Sequence, residues 1–132
     1  MKRLIATTIL LMGFASHAFA LEKETFSNAR FEELQASGEV VLVDVYATWC
    51  STCAKQKTAL EKYRAANPDK KFHILEVDYD KDKDAVRQFR APRQATLLLY
   101  KGNQQFWYSV AESRYEVIAA EIDKAFNFKP KN

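Results

Sequence analysis

The chain has 132 residues and a formal net charge of +3, which is enough for one ordinary domain and too short for two. A hydrophobic fraction of 48%, with 3 glycines and 3 prolines, excludes a disordered or fibrous chain. The 20 Lys and Arg residues are interleaved with 17 Asp and Glu residues, which argues against a nucleic-acid-binding surface.

The chain begins with MKRLIATTILLMGFASHAFA, which has the pattern of a secretory signal peptide. Lys2 and Arg3 give a basic start, residues 4–15 carry no charge, and residues 18–20 form the small-x-small pattern that a signal peptidase recognises. An uncleaved membrane anchor is the alternative, but the apolar run is shorter than the ~20 residues that a span needs. We therefore predict a signal peptide that ends at residue 20, a mature domain over residues 21–132, a periplasmic location and no stable membrane span.

The sequence after the signal peptide predicts helices and strands that alternate along the chain. In chain order, the predicted elements are a helix at 27–37, a strand at 40–46, a helix at 50–66, a strand at 72–77, a short helix at 82–89, strands at 96–100 and 105–110 joined by a turn, and a last helix. Ser113 and Glu116 predict a capping box at the start of that last helix. The predicted fold class is α/β, with a mixed four-stranded sheet flanked by helices on both faces.

Cys50 and Cys53 lie where the first predicted strand gives way to a helix. Free N–H groups at a helix start favour a thiolate at Cys50. Cys53 is expected to be more buried and to resolve the mixed disulfide that Cys50 forms with a partner. An inert structural disulfide is an alternative, although so short a loop would add little stability. A structural zinc site needs four ligands, and two cysteines with His73 are too few. We therefore expect no cofactor or metal, unless two chains share a metal or iron–sulfur cluster.

Two residues near the cysteine pair are further candidates. Asp44 interrupts an apolar strand, where a carboxylate costs several kcal/mol unless it is paired or protonated. A raised pKa would suit Asp44 to deprotonate Cys53, whereas a solvated Asp at a strand edge is the alternative. Trp49 either forms a flat apolar surface for docking a polypeptide or packs in the core.

Residues 41–53, VLVDVYATWCSTC, resemble the active-site strand and motif of the thioredoxin family, and residues 96–103 resemble its later strand and hairpin turn. This resemblance implies a thioredoxin-like fold that covers nearly the whole chain after the signal peptide. It also implies disulfide exchange with Cys50 as nucleophile, Cys53 as resolving thiol and Asp44 as proton relay. The expected partners are proteins with thiols or disulfides. We expect a monomer that, in the periplasm, receives electrons from a membrane thiol transporter.

The chain departs from the family at positions that bear on redox tuning and docking. Ser51 and Thr52 stand where reducing members have Gly-Pro, and these two residues tune the redox couple. Ala95 stands where the family has a cis-proline, and a cis bond before alanine costs roughly 2.5–4 kcal/mol, so we expect a trans bond. Pro92 could take that place only if the loop shifted its register. Gln94 and Ala95, together with the tryptophan beside the motif, are the predicted substrate-docking residues.

Two further departures concern the surroundings of the motif. Glu76 stands where the family often has a lysine near the buried Asp, and it either raises the pKa of Asp44 further or faces solvent. Ala111 replaces a glycine near the docking surface. The sequence thus predicts an exported thiol–disulfide oxidoreductase that leans towards reduction. A weakly active binding module and a domain that holds a metal or iron–sulfur cluster across a dimer are the alternatives.

Overall fold

The computed structural model describes residues 22–129. The elements are β1 (Glu24–Thr25), α1 (Asn28–Ala36), β2 (Val40–Tyr46), α2 (Ser51–Ala66), β3 (His73–Asp78), α3 (Lys83–Gln88), β4 (Thr96–Lys101), β5 (Gln104–Val110) and α4 (Tyr115–Asn127). The predicted signal peptide and its cleavage site lie outside the described residues. None of the helices in the described part of the chain has the length and apolar character needed to cross a bilayer.

The strands form one mixed sheet in the order β1-β3-β2-β4-β5. β2 pairs in parallel with β3 and antiparallel with β4, which forms a hairpin with β5. The predicted α/β class and the mixed sheet are confirmed, but the sheet has five strands rather than four. The additional strand, β1, is 2 residues long and pairs in parallel with β3. So short a strand has no apolar alternation in its sequence, and only its backbone pairing defines it.

The central strand β2 separates two apolar clusters, one on each face of the sheet. Val41, Val43 and Val45 pack with residues of α1 and α3, whereas Leu42 packs on the opposite face with residues of α2 and α4. Side chains alternate between faces along a strand. Asp44 therefore lies on the same face as Leu42, beneath the helix that begins at the cysteine pair.

The start of α4 differs from the prediction. The helix begins at Tyr115 with Arg114 as its N-cap residue, and no side chain accepts a hydrogen bond from its first N–H groups. Glu112 Oε1 instead accepts hydrogen bonds from the backbone N–H groups of the two residues before the helix, Ser113 at 3.0 Å and Arg114 at 2.8 Å. The predicted capping box between Ser113 and Glu116 is therefore wrong, because the helix begins two residues after Ser113.

Replacing Glu112 with alanine is expected to lower the free energy of unfolding by about 1–2 kcal/mol, because the N–H groups of Ser113 and Arg114 lose a charged acceptor. Ser113→Ala, at the predicted cap, is expected to change it by less than about 0.5 kcal/mol. Hydrogen bonds from Arg114 lower the pKa of Glu112 to about 2, so the contribution is present above the unfolded pKa and disappears as the pH falls towards 2. Urea denaturation of both variants measures the difference, and equal losses would contradict this role of the Glu112 carboxylate.

Candidate active site

Cys50 and Cys53 form a disulfide at the start of α2, with their Cα atoms 5.3 Å apart. Cys50 is the N-cap residue of the helix, and its Sγ accepts a hydrogen bond of 3.1 Å from the backbone N–H of Cys53. The same N–H and the positive end of the helix favour a thiolate at Cys50 once the disulfide is reduced. The predicted position of the pair at a helix N-terminus is confirmed.

The two cysteines are buried to almost the same extent, with exposed fractions of 7% for Cys50 and 9% for Cys53. The expectation that Cys53 is the more buried is therefore wrong for the disulfide form, because one bond holds both sulfurs in the same apolar cluster with Ala47 and Ala95. Ser51 is exposed and Thr52 is half-buried, and both belong to the first turn of the helix. Exposure alone does not separate the roles of the two thiols.

Asp44 is a buried carboxyl group with an exposed fraction of 2%, which excludes a solvated Asp at a strand edge. Its Oδ2 accepts a hydrogen bond of 3.0 Å from Lys23 Nζ, and its Oδ1 has no hydrogen-bond partner among the described residues. Burial raises the pKa of Asp44, the Lys23 ammonium group opposes this rise, and the charge of Glu76 adds to it. Asp44 is therefore placed to hold a proton more tightly than an exposed Asp.

Lys23 is a site residue that the sequence did not indicate. Its ammonium group also binds Glu76 Oε1 at 2.7 Å, and Glu76 lies opposite Asp44 in the pairing of β2 with β3. Burial by itself would lower the pKa of Lys23, but the two carboxylates outweigh it and the pKa is raised. The short strand β1 follows Lys23 directly and brings it to this position. The Glu76 carboxylate thus pairs with Lys23, which the N-terminal segment supplies.

A cleft of about 330 Å³ joins the Asp44 carboxyl group to the disulfide. Asp44, Cys50 and Cys53 all line it. Its charged or polar lining residues also include Lys23, Glu76, Lys57, Tyr46 and Thr48. The cleft gives the buried carboxyl group access to solvent beside the two sulfurs, so that a proton can pass between them through water.

Lys23→Met is expected to raise the pKa of Asp44 further, because the nearest positive charge is lost. Glu76→Gln is the matched opposite change and is expected to lower that pKa. Tyr46 and Lys57, which also line the cleft, stay the same in both variants. Carboxyl carbon NMR titration with the disulfide intact measures the shift without interference from thiols. Shifts in the same direction in the two variants would contradict this arrangement of charges.

The Trp49 side chain is exposed next to the disulfide, with an exposed fraction of 63%. Its indole Nε1 donates a hydrogen bond of 2.7 Å to Asp80 Oδ2, which anchors the ring at one end. The core-packing alternative is therefore excluded. Gln94 is half-buried, and Pro92 is exposed and does not occupy the place of Ala95.

Ala95 is fully buried and packs against the two cysteines. Its φ angle is +62°, in the left-handed region, and no peptide bond within residues 22–129 is cis. The expected trans bond before Ala95 is thus present. Its N–H donates to the Val45 carbonyl at 2.8 Å, and its own carbonyl accepts from the N–H of Ala111 at 2.8 Å. Ala95 can shape the edge beside the disulfide, but its side chain cannot contact a substrate.

Gln56 is a second site residue that the sequence analysis missed. It is fully buried in α2, and its Nε2 donates hydrogen bonds to the carbonyls of Ala95, at 3.1 Å, and Glu112, at 2.7 Å. The helical spacing Cys53, Gln56, Leu60 could have indicated a buried amide, because residues three and four apart share a helix face.

In residues 22–129, no group of three or more His, Cys, Asp or Glu side chains is placed to hold a metal ion.

Comparisons with known proteins agree with this geometry. The sequence profile of the Thioredoxin family matches residues 20–124. The chain is 34% identical to a thioredoxin of Staphylococcus haemolyticus over 105 residues, which covers 80% of this chain and 97% of the relative. It is 30% identical to Thioredoxin-2 of Pyricularia oryzae over 70% of this chain and 54% of that longer protein.

Among solved structures, the crystal structure of Trxlp from Edwardsiella tarda EIB202 superimposes with a TM-score of 0.71. The two sequences are 36% identical, and the alignment covers 76% of this chain and 98% of Trxlp. Members of the family normally need no cofactor beyond their own cysteine pair. The matched profile, the relatives and the disulfide at the start of α2 show that the chain belongs to the thioredoxin family and is a thioredoxin-like protein-disulfide oxidoreductase.

Proposed function

We propose that this protein is exported to the periplasm, where it reduces disulfide bonds in partner proteins. The observation that carries the chemistry is the buried Asp44 carboxyl group, which shares one cleft with the Cys50–Cys53 disulfide. A buried carboxyl group with a raised pKa is suited to accept and return a proton near neutral pH. The signal-peptide pattern at the start of the chain supports export.

The proposed reaction begins with the dithiol form. The Cys50 thiolate attacks one sulfur of the partner disulfide, that S–S bond breaks, and the first partner thiolate leaves and takes a proton from solvent. The Asp44 carboxylate then accepts the proton of Cys53, through water in the cleft. The Cys53 thiolate attacks the Cys50 sulfur of the mixed disulfide, which forms the internal disulfide and releases the second partner thiolate. Asp44 returns its proton to this thiolate through water in the cleft, so that two electrons have passed to the partner, which is left with two thiols.

A reducing role outside the cytosol requires a supply of electrons, because thiols there tend to be oxidised. We propose that a membrane-embedded thiol transporter reduces the Cys50–Cys53 disulfide by the reverse exchange. The protein acts in this scheme as a monomer that carries electrons between the transporter and its substrates. The exposed Trp49 ring beside the disulfide provides an apolar surface for both kinds of partner.

The reduction potential of the Cys50–Cys53 couple tests the proposed direction. A value near ~−270 mV is expected for a reductant, and a value near ~−120 mV would indicate an oxidant and contradict the proposal. The matched comparison is a variant with Ser51→Gly and Thr52→Pro, which has the pair of residues found in reducing members. Equilibration with glutathione or dithiothreitol buffers measures both proteins under the same conditions.

A binding module with slow turnover is the second candidate. It is favoured by Ala95, whose N–H and carbonyl both bond within the fold and are not free to pair with a substrate strand. Rapid reduction of insulin by the purified protein would contradict this candidate. A coloured dimer after anaerobic purification would favour a related alternative, in which two chains share an iron–sulfur cluster.

A further inference from the structure

We propose that Gln56 is a positioning residue, whose buried amide holds the backbone at Ala95 and Glu112 against the cysteine helix and so fixes the edge on which a partner polypeptide docks. This role rests on the proposed reduction of protein disulfides. It does not concern the chemistry at sulfur, which Gln56 does not contact. It concerns the distance and angle between the disulfide and the end of the β4–β5 hairpin.

The side-chain amide of Gln56 pairs with two backbone carbonyls. Gln56 Nε2 donates to Ala95 O at 3.1 Å and to Glu112 O at 2.7 Å. An amide nitrogen has two hydrogens, and both are used here. Because both neighbours are acceptors, the nitrogen rather than the oxygen must face them. One side chain thus ties α2 to the segment before β4 and to the segment after β5.

The backbone that this amide holds includes residues with unfavourable φ angles. Ala95 has a φ of +62° and Ala111 a φ of +63°, a region that residues with a Cβ atom adopt at a cost. Such strain persists only where the surroundings impose it. Ala111 N–H donates to the Ala95 carbonyl at 2.8 Å, so the two strained residues are bonded to each other. Gln56 binds one of them directly and the residue next to the other.

Ala95 and Ala111 lie at the end of the sheet beside the cysteines. Thr96 pairs with Val110 at the end of the hairpin, so that Ala95 and Ala111 extend the same end of the sheet. Ala95 also packs against Cys50 and its partner cysteine. The Gln56 amide therefore links the helix that carries the cysteines to the sheet end beside them. In the proposed docking mode, an extended partner chain approaches the disulfide along this end of the sheet.

The surroundings of the Gln56 side-chain oxygen favour a positioning role over simple stabilisation. Gln56 Oε1 is buried without a hydrogen-bond partner among the described residues, and such an atom is unfavourable for the fold. An apolar side chain of similar size would avoid that cost. The Ala95 carbonyl would keep its bond from Ala111, whereas the partly buried Glu112 carbonyl would lose its bond from Gln56. A glutamine at this position is therefore better explained by the geometry that it imposes than by stability.

Gln56→Met, which has a similar length and no donor, tests this role in insulin reduction with dithiothreitol as electron source. The KM for insulin is expected to rise about tenfold, equivalent to about 1.4 kcal/mol of lost docking. The rate with hydroxyethyl disulfide, which needs no docking edge, and the reduction potential are expected to stay within about twofold, because the cysteines and Asp44 are untouched. Gln88→Met, at an exposed position in α3, is the matched control and is expected to change none of these values.

Ala111→Gly added to Gln56→Met is expected to recover part of the lost affinity for insulin, since glycine adopts a positive φ without strain. Gln56→Asn, whose amide is too short to reach both carbonyls, repeats the test if the methionine variant does not fold. An unchanged KM in a folded Gln56 variant would overturn the role. Equal losses with insulin and hydroxyethyl disulfide would also overturn it. A wild-type protein that reduces hydroxyethyl disulfide but not insulin would instead disprove the proposed function, and the docking role with it.

Discussion

Replacing Asp44 with asparagine is expected to slow resolution of the mixed disulfide and to stabilise the fold at the same time. Resolution requires that Cys53 lose its proton, and a positioned base contributes about 10²–10⁴-fold to such a step. We expect a loss of roughly 10- to 100-fold, at or below the lower end of that range, because water in the cleft can still accept the proton. The first attack by Cys50 is expected to change little.

The stability effect has the opposite sign because burial raises the pKa of Asp44. An acid whose pKa is raised in the folded state favours folding below its unfolded pKa, and that contribution is lost as the pH rises through the folded pKa. Asparagine has no such titration, and Lys23 retains Glu76 as a partner at 2.7 Å. The free energy of unfolding of the variant is therefore expected to exceed that of the wild-type protein by about 1 kcal/mol at pH 8, with a smaller difference near pH 4.

Stopped-flow measurement of the two exchange steps and urea denaturation at several pH values check both halves of this prediction. Asp69→Asn, at an exposed position, is the matched control and is expected to change neither quantity. An Asp44→Asn variant that resolves its mixed disulfide as fast as the wild-type protein would contradict the proton-relay role. A variant that is less stable at pH 8 would contradict the energetic argument.

Ala95→Pro is expected to destabilise the protein by about 3 kcal/mol or more, although it introduces the residue that the family has at this place. Proline fixes φ near −65°, whereas Ala95 has a φ of +62°. Proline also lacks the N–H group that binds the Val45 carbonyl at 2.8 Å. The substitution therefore removes a buried hydrogen bond and forces the segment before β4 to rearrange against the cysteines.

Ala95→Gly is the matched control for that change. It retains the N–H and accepts a positive φ, and it loses only a methyl group from the cluster around the disulfide. We expect a change in the free energy of unfolding of less than about 1 kcal/mol in either direction. Thermal and urea denaturation of both variants measure the difference. A proline variant as stable as the glycine variant would show that the segment readily takes up another backbone arrangement.

The parts of the fold that depend on local sequence were predictable. β2 has the predicted bounds, Val40–Tyr46, because a nearly continuous apolar run, rich in β-branched residues, favours a buried central strand. Ser27, the first residue of the predicted helix at 27–37, is the N-cap of α1, with its hydroxyl oxygen accepting from the N–H of Arg30. The burial of Asp44 follows from its place within the same strand. Each of these features is determined by neighbours along the chain.

The missed features depend on contacts between distant residues. Lys23 reaches Asp44 and Glu76 only because β1 pairs with β3, and nothing in its own segment signals that pairing. Gln56 reaches Ala95 through the packing of α2 against the end of the sheet. The predicted cap of α4 failed for a different reason, because the helix begins two residues after Ser113 and has no side-chain cap. Long-range geometry decided the positions of Lys23 and Gln56.

The central claim is that Cys50 attacks the partner and Cys53 resolves the mixed disulfide, and trapping of that intermediate tests it most directly. The Cys53→Ser variant, incubated with a disulfide-bonded protein substrate, is expected to accumulate a mixed disulfide through Cys50. Dithiothreitol is expected to reduce this adduct and release the substrate. Cys50→Ser is expected to form no adduct and to show no exchange. Adducts through Cys53 in the Cys50→Ser protein, or loss of exchange without trapping in both variants, would contradict the account.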